Sequence, residues 1–170
     1  MLASNAPARI VRAVGRDGLA ATWEKLTATD RRLVAAYVSA PSDAYWDRFR
    51  AVIGPGHRGA GDPAAVRRFY EAQCLRDDTM AETVANALAA GRAVLHVNGS
   101  FHSDAGLGAV ARVLWRRPLA TRRLAVVKFM PVKGDPSRAE TGTYKSEADF
   151  VVFVPDRKAP PVPAAGATKT

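Results

Sequence analysis

The chain has 170 residues, 48% of them hydrophobic and 24% charged, the make-up of one folded globular domain and not of a disordered segment. No apolar run approaches the roughly 20 residues of a membrane-spanning helix, and Arg9, Arg12, Arg16 and Asp17 interrupt any signal-peptide core near the start. The net charge is +9, but the basic residues fall in scattered pairs (Arg31-Arg32, Arg67-Arg68, Arg116-Arg117, Arg122-Arg123) and not in one stripe. That pattern favours solvated helix faces, leaves an anionic ligand or acidic lipid as the next readings, and makes a nucleic-acid partner unexpected.

In chain order, Ser4-Asn5-Ala6-Pro7 predicts a helix start, with Asn5 as cap, proline in the first turn, and Ile10, Val11 and Val14 inward until Gly15 or Gly18. A second helix is expected after Thr29-Asp30, with Leu33, Val34 and Tyr37 inward. Pro41-Ser42-Asp43 opens a third, carrying Tyr45, Trp46, Phe49, Val52 and Ile53 at helical spacing. A glycine-rich loop over residues 54–61 contains His57, read as a solvent-exposed histidine. Asp62-Pro63 then starts the longest helix, to about Ala90, with an apolar stripe of Val66, Phe69, Tyr70, Cys74, Met80, Val84 and Leu88. Cys74, the one cysteine, reads as core and excludes an intramolecular disulfide and a multi-cysteine zinc site.

Ala93 to Val97 is a short apolar run expected to be a strand covered on both faces, and Gly106 to Trp115 returns to helical spacing with Leu107, Val110, Val113 and Leu114 inward. Leu124 to Met130 and Phe150 to Val154 are the remaining strands, joined by a polar excursion over residues 133–149. Met1-Leu2-Ala3 is a candidate end of a further strand. The whole reads as an α/β domain over residues 1–154, helices packed on a small central sheet, followed by a Pro/Ala-rich disordered tail from Pro155.

Chemistry points to Gly99-Ser100-Phe101-His102, where the expected strand runs toward a helix. Ligands in open α/β sheets bind beyond the carboxyl ends of strands. Gly99 would let the backbone turn sharply and approach a ligand, Asn98 and Ser100 offer hydrogen bonds, and His102 can bind a metal or exchange a proton. Asp104 can orient that imidazole or cap the next helix. Spacing alone leaves a functional site and a merely capped turn as equal readings, and His96 reads as a satisfied core histidine. Gln73 and Asp77 intrude on the apolar stripe of the long helix, among Phe69, Tyr70, Met80 and Val84. Such conflicts between pattern and packing mark functional sites, and a buried Asp77 needs a histidine or arginine partner. Glu82 reads as part of a solvated acidic face.

Asn5-Ala-Pro, Ala72-Gln73 with Arg76-Asp-Asp-Thr-Met-Ala-Glu-Thr83, and His96-Val-Asn-Gly-Ser-Phe-His102 with Gly106-Leu-Gly108 resemble the ChaN-like haem-binding uptake proteins, over roughly residues 3–154. Their superfamily also includes Tiki-type metalloproteases and erythromycin esterases. The resemblance implies an α/β fold, with Gly99 and His102 matching the second Gly-x-x-His, and Gln73, Asp77 or Asp78, and Met80 matching the pocket helix. It implies haem bound between two copies of the chain through tyrosine and histidine, Tyr45 and Tyr70 being the tyrosine candidates, with arginines near the propionates and a role in iron acquisition by an exported or membrane-associated protein. The family's opening strand with Gly-Glu-x-His has no counterpart, so the N-terminal strands are expected to be missing. The alternatives are a divalent-metal-dependent hydrolase with His102 as ligand, and a degenerate scaffold without activity.

Overall fold

In the structure, a computed structural model, residues 1, 3–53, 61–118, 123–133 and 135–156 are described. The loop carrying His57 and the tail from residue 157 onward lie outside them. The chain divides into two compact units, Met1–Leu124 and Ala125–Thr170. Helices dominate the first, and the second holds a small parallel sheet, an α/β composition.

In the first unit α1 (Ala8–Asp17) buries Ile10, Val11 and Val14 and stops where Gly18 takes a φ of 88°. Pro7 stands at its N-cap without a side-chain cap, so Asn5 does not perform the capping expected of it. A helix not anticipated from the sequence, α2 (Leu19–Lys25), follows at once, and its first amide is capped by Glu71 Oε2 at 2.8 Å. The next helix is one turn only, α3 (Ala28–Arg31), started by a Thr27/Asp30 capping box. Leu33 and Tyr37 are exposed, and only Val34 of the predicted inward set is buried.

The reason the chain leaves the helical path there lies in the long helix beneath it. In α5 (Pro63–Ala89) Thr79 Oγ1 accepts the Ala35 amide (3.2 Å), Glu82 accepts that of Ala36 (3.1 and 3.2 Å) and Asp78 Oδ2 that of Ser39 (3.1 Å). Side chains of α5 thus satisfy backbone groups that a helix over 33–39 would have paired internally. Glu82 is therefore a backbone cap and not part of a solvated face.

Asp43 accepts the amides of Tyr45 (3.0 Å) and Trp46 (3.2 Å) to start α4 (Ala44–Ile53), and Asp62 caps α5 through the Ala64 amide with Pro63 in the first turn, as the sequence predicts. The buried face of α5 is broader than the expected stripe. It includes Leu75, Asp77, Asp78, Thr79 and Ala81, whereas Phe69 is partly exposed. One apolar cluster joins α1 to α5 (Ile10, Val11, Val14, Val34, Ala72, Leu75), and a second joins α4 to α5 (Tyr45, Phe49, Tyr70, Cys74) with Phe101 and Leu107 against it. Burial pushes the Cys74 thiol up to about 12, in keeping with a core cysteine.

Residues 92–99 form no strand among the described residues. Leu95 and Val97 are 91% and 84% exposed, so the expected doubly covered strand is instead an open stretch of chain. Two short 3-10 turns, Ser100–His102 and Asp104–Gly106, lead to α6 (Ala109–Arg116). Residues 1 and 3 carry no strand either. In the second unit β1 (Val127–Val132) and β2 (Phe150–Pro155) pair in parallel, Val127 opposite Phe150. The connection over 133–149 gives the parallel register the length it requires.

Two buried ion pairs tie α6 to α5. Arg112 Nε reaches Asp78 Oδ2 at 3.1 Å and Arg116 Nη2 reaches Asp78 Oδ1 at 2.9 Å, while Arg112 also donates to the carbonyls of Gly108 (3.1 Å) and Ser39 (3.2 Å). Arg116, read from the sequence as one of a solvated pair, is spent on a carboxylate that is 1% exposed. Removing one partner of a buried charge set leaves the other uncompensated. Arg112→Ala is expected to lower the unfolding free energy by about 3 kcal/mol in urea denaturation, and an unchanged midpoint would contradict this reading of the α5–α6 contact.

Candidate functional site

The site is built outward from Asp77, whose side chain is 0% exposed in the middle of α5. A carboxylate there needs donors at both oxygens. Tyr45 of α4 supplies one, its hydroxyl donating to Oδ2 at 2.7 Å, and His102 supplies the other, its Nδ1 standing 2.6 Å from Oδ1. Gln73, one turn earlier on α5, donates its amide to the Tyr45 hydroxyl at 3.0 Å. Its Nε2 also lies 3.0 Å from His102 Nδ1. With the Nδ1 proton directed to Asp77, that last approach is a contact between two donors, and the amide hydrogen goes to Tyr45.

Asp77 therefore fixes the ring tautomer. In the neutral ring Nδ1 carries the proton and Nε2 the lone pair, and Nε2 has no hydrogen-bond partner among the described residues. The His102 side chain is 16% exposed. It is thus sheltered and held, with its basic nitrogen uncommitted.

The surrounding residues hold this geometry. Phe101 packs its ring 5.3 Å from Tyr45 and 6.1 Å from Phe49. Asp104, buried just beyond the turn, pairs with Arg48 of α4 at 3.1 Å, and the N-cap of α6 is Gly108, without a side-chain cap. The Arg112 guanidinium lies 5.4 Å from the Tyr45 ring centroid, closing the far side of the cluster. The turn itself depends on a glycine other than the one the sequence suggested. Gly99 has ordinary extended angles (φ −68°, ψ 144°) and a Cβ there would meet only His102 Cδ2 at 3.9 Å. Gly108 has φ 56°, and a Cβ would fall 2.6 Å from the His102 carbonyl oxygen.

Of the residues singled out from the sequence, Gln73, Asp77, Tyr45 and His102 form one hydrogen-bonded set. Tyr70 stands beside it, its ring 5.8 Å from Tyr45 and its hydroxyl donating to Asp43 at 3.4 Å. Both tyrosines are buried with their hydroxyls engaged, and burial, joined at Tyr45 by the Asp77 charge, raises both phenols far above their ordinary range. Neither presents an oxygen outward. Met80 is buried, three residues beyond Asp77 on α5. Asn98 faces His96 and Ser103, not His102. Arg112 and Arg48 are the contributors that sequence reasoning missed, while Phe101 and Gly108 lie in segments it quoted without giving them a role. Arg112 was legible in principle, since it lies three residues after Ala109, on the face that α6 buries.

His96 donates or accepts at both ring nitrogens, to Ser4 Oγ at 3.0 Å and Asn98 Nδ2 at 3.2 Å. Among the described residues no three His, Cys, Asp or Glu side chains are grouped as a metal site, and no helix is long and apolar enough to cross a membrane.

The helical scaffold thus holds one histidine on a buried carboxylate. The family comparison is specific: the chain belongs to the haem-binding uptake family of the Tiki superfamily, ChaN, which matches it over residues 1–113. That span contains Asp77, His102, Gly108 and Arg112 and ends before the sheet. No curated protein and no solved structure matches the chain.

Two outcomes check this geometry. Gly108→Ala should cost about 2 kcal/mol or more, through positive φ and collision with the His102 carbonyl, while Gly99→Ala should stay within about 0.5 kcal/mol of the parent. Equal losses in thermal denaturation would contradict the assignment. His96 is held neutral, its pKa lowered from the ordinary 6.5 by burial first and by His102 second. Below that ordinary value the unfolded chain binds more protons than the fold at this residue, so its contribution is full above pH 6.5 and is lost as the pH falls. In a ring-proton NMR titration His96 should titrate at lower pH than a histidine in an unfolded peptide.

Proposed function

We propose that this protein binds haem through His102 and serves iron acquisition as a binding protein without turnover. One observation carries the reading: His102 Nδ1 stands 2.6 Å from the buried Asp77 carboxylate, and Nε2 has no hydrogen-bond partner among the described residues. A metal-ligating histidine typically donates its other ring nitrogen to a carboxylate, which fixes the tautomer and raises ligand basicity. Membership of the haem-binding uptake family supports the same ligand. His102 would be the residue to hold haem, which would supply an iron able to take an imidazole nitrogen as ligand.

The chain's own residues then have distinct duties. Asp77 holds the proton on Nδ1 and makes Nε2 the electron donor. Tyr45 and Gln73 keep Asp77 in place and shield it from water. Because the Tyr45 and Tyr70 hydroxyls are buried and engaged, these tyrosines shape the site and do not ligate iron. Arg112 and Arg116 are likewise spent on Asp78, which leaves the propionates to other groups.

Haemin titration followed at the Soret band should saturate for the parent protein. His102→Ala should abolish the ligation spectrum, and Asp77→Asn should weaken binding roughly 10- to 100-fold while the fold survives. A parent protein with no saturable change, or a His102→Ala variant with the parent spectrum, would sink the proposal.

A further inference from the structure

The turn carrying His102 is connected to the segment before α1 by a run of neutral side chains. The Ser103 hydroxyl donates to Asn98 Oδ1 at 3.1 Å, so the residues on either side of Gly99–His102 are bonded to each other. The Asn98 NH2 donates to His96 Nδ1 at 3.2 Å. That places the ring proton of His96 on Nε2, which donates to Ser4 Oγ at 3.0 Å.

These bonds matter because little else holds the stretch. Residues 92–99 take part in no strand among the described residues, and Leu95 and Val97 stand in solvent. A backbone without ladder partners drifts unless side chains pin it. His96 and Asn98, two residues apart in extended chain, point to one side, and both are partly buried there.

We infer that His96 is a positioning residue for His102: its imidazole latches the Asn98–Ser103 turn to Ser4 and so keeps the His102 ring in register with Asp77. The role deepens the haem reading given above and rests on it. His96 touches no ligand in this account. It acts through Asn98, whose amide is oriented by Ser103 on one side and His96 on the other.

The test uses the full chain and two readouts. Hydrogen exchange with mass spectrometry follows residues 98–103, and haemin titration follows affinity. Ser4→Ala and His96→Phe should speed exchange over 98–103 and leave the centre of α5 protected. Each should also weaken haemin binding about fivefold, the scale of one lost hydrogen bond. Ser4→Thr, which retains the hydroxyl, should restore both. Unchanged exchange over 98–103 in Ser4→Ala and His96→Phe overturns the latch. Faster exchange with undiminished haemin affinity overturns the positioning role. A parent protein that takes up no haemin overturns the haem reading, and the exchange data then decide the latch separately.

Discussion

A fully buried carboxylate is the constraint on which the rest of this structure depends. Asp77 sits in the middle of a long helix with no access to water, and burying its charge would be prohibitive without two donors. Meeting that demand organises the neighbourhood. Helix α4 must pack so that the Tyr45 hydroxyl reaches one oxygen, and the turn after the open stretch must bring His102 to the other. Phe101 packs into the α4–α5 aromatic cluster to hold that turn in place, and Gly108 lets the chain fold back closely over it. The same bond that satisfies Asp77 sets the tautomer of the neutral His102 ring, so the stability requirement and the proposed binding arrangement are one interaction.

The neighbouring residue shows how position on a helix separates duties. Asp78 is about 100° further around α5 and meets a different environment: Arg112 and Arg116 from α6 and the Ser39 amide. It binds elements together and holds no ring. Thr79 and Glu82 extend that work along the helix, completing backbone hydrogen bonds for a segment that forms no helix of its own. Helix α5 is thus both the core of the first unit and the source of polar groups that stand in for missing secondary structure.

Much of this was legible in the sequence, for identifiable reasons. Asp62-Pro63 and Asp43 mark helix starts because capping is local chemistry, readable within four residues. Gln73 and Asp77 stood out because polar groups on an apolar stripe require partners, and the partner is a histidine as expected. What failed depended on neighbours distant in sequence. Ala93–Val97 has the composition of a covered strand, but a strand exists only where another strand pairs with it, and composition does not report that. The 33–39 segment looked helical because its apolar spacing is helical, whereas its amides are claimed by α5. Gly99 drew attention from its place in Gly-x-x-His, while the steric demand falls on Gly108, revealed only once the chain doubles back. Arg112 was hidden by a composition in which arginine usually means solvent.

The central claim is that Asp77 holds His102 with its proton on Nδ1 and its Nε2 lone pair open. Long-range nitrogen–proton NMR of the imidazole rings at neutral pH tests this most directly, since it distinguishes protonated from unprotonated ring nitrogens one by one. For the neutral His102 ring the account predicts the proton on Nδ1 and not on Nε2 in the parent chain, with that preference lost in the Asp77→Asn variant. A proton on Nε2 in the parent chain, or a tautomer indifferent to Asp77, would contradict it.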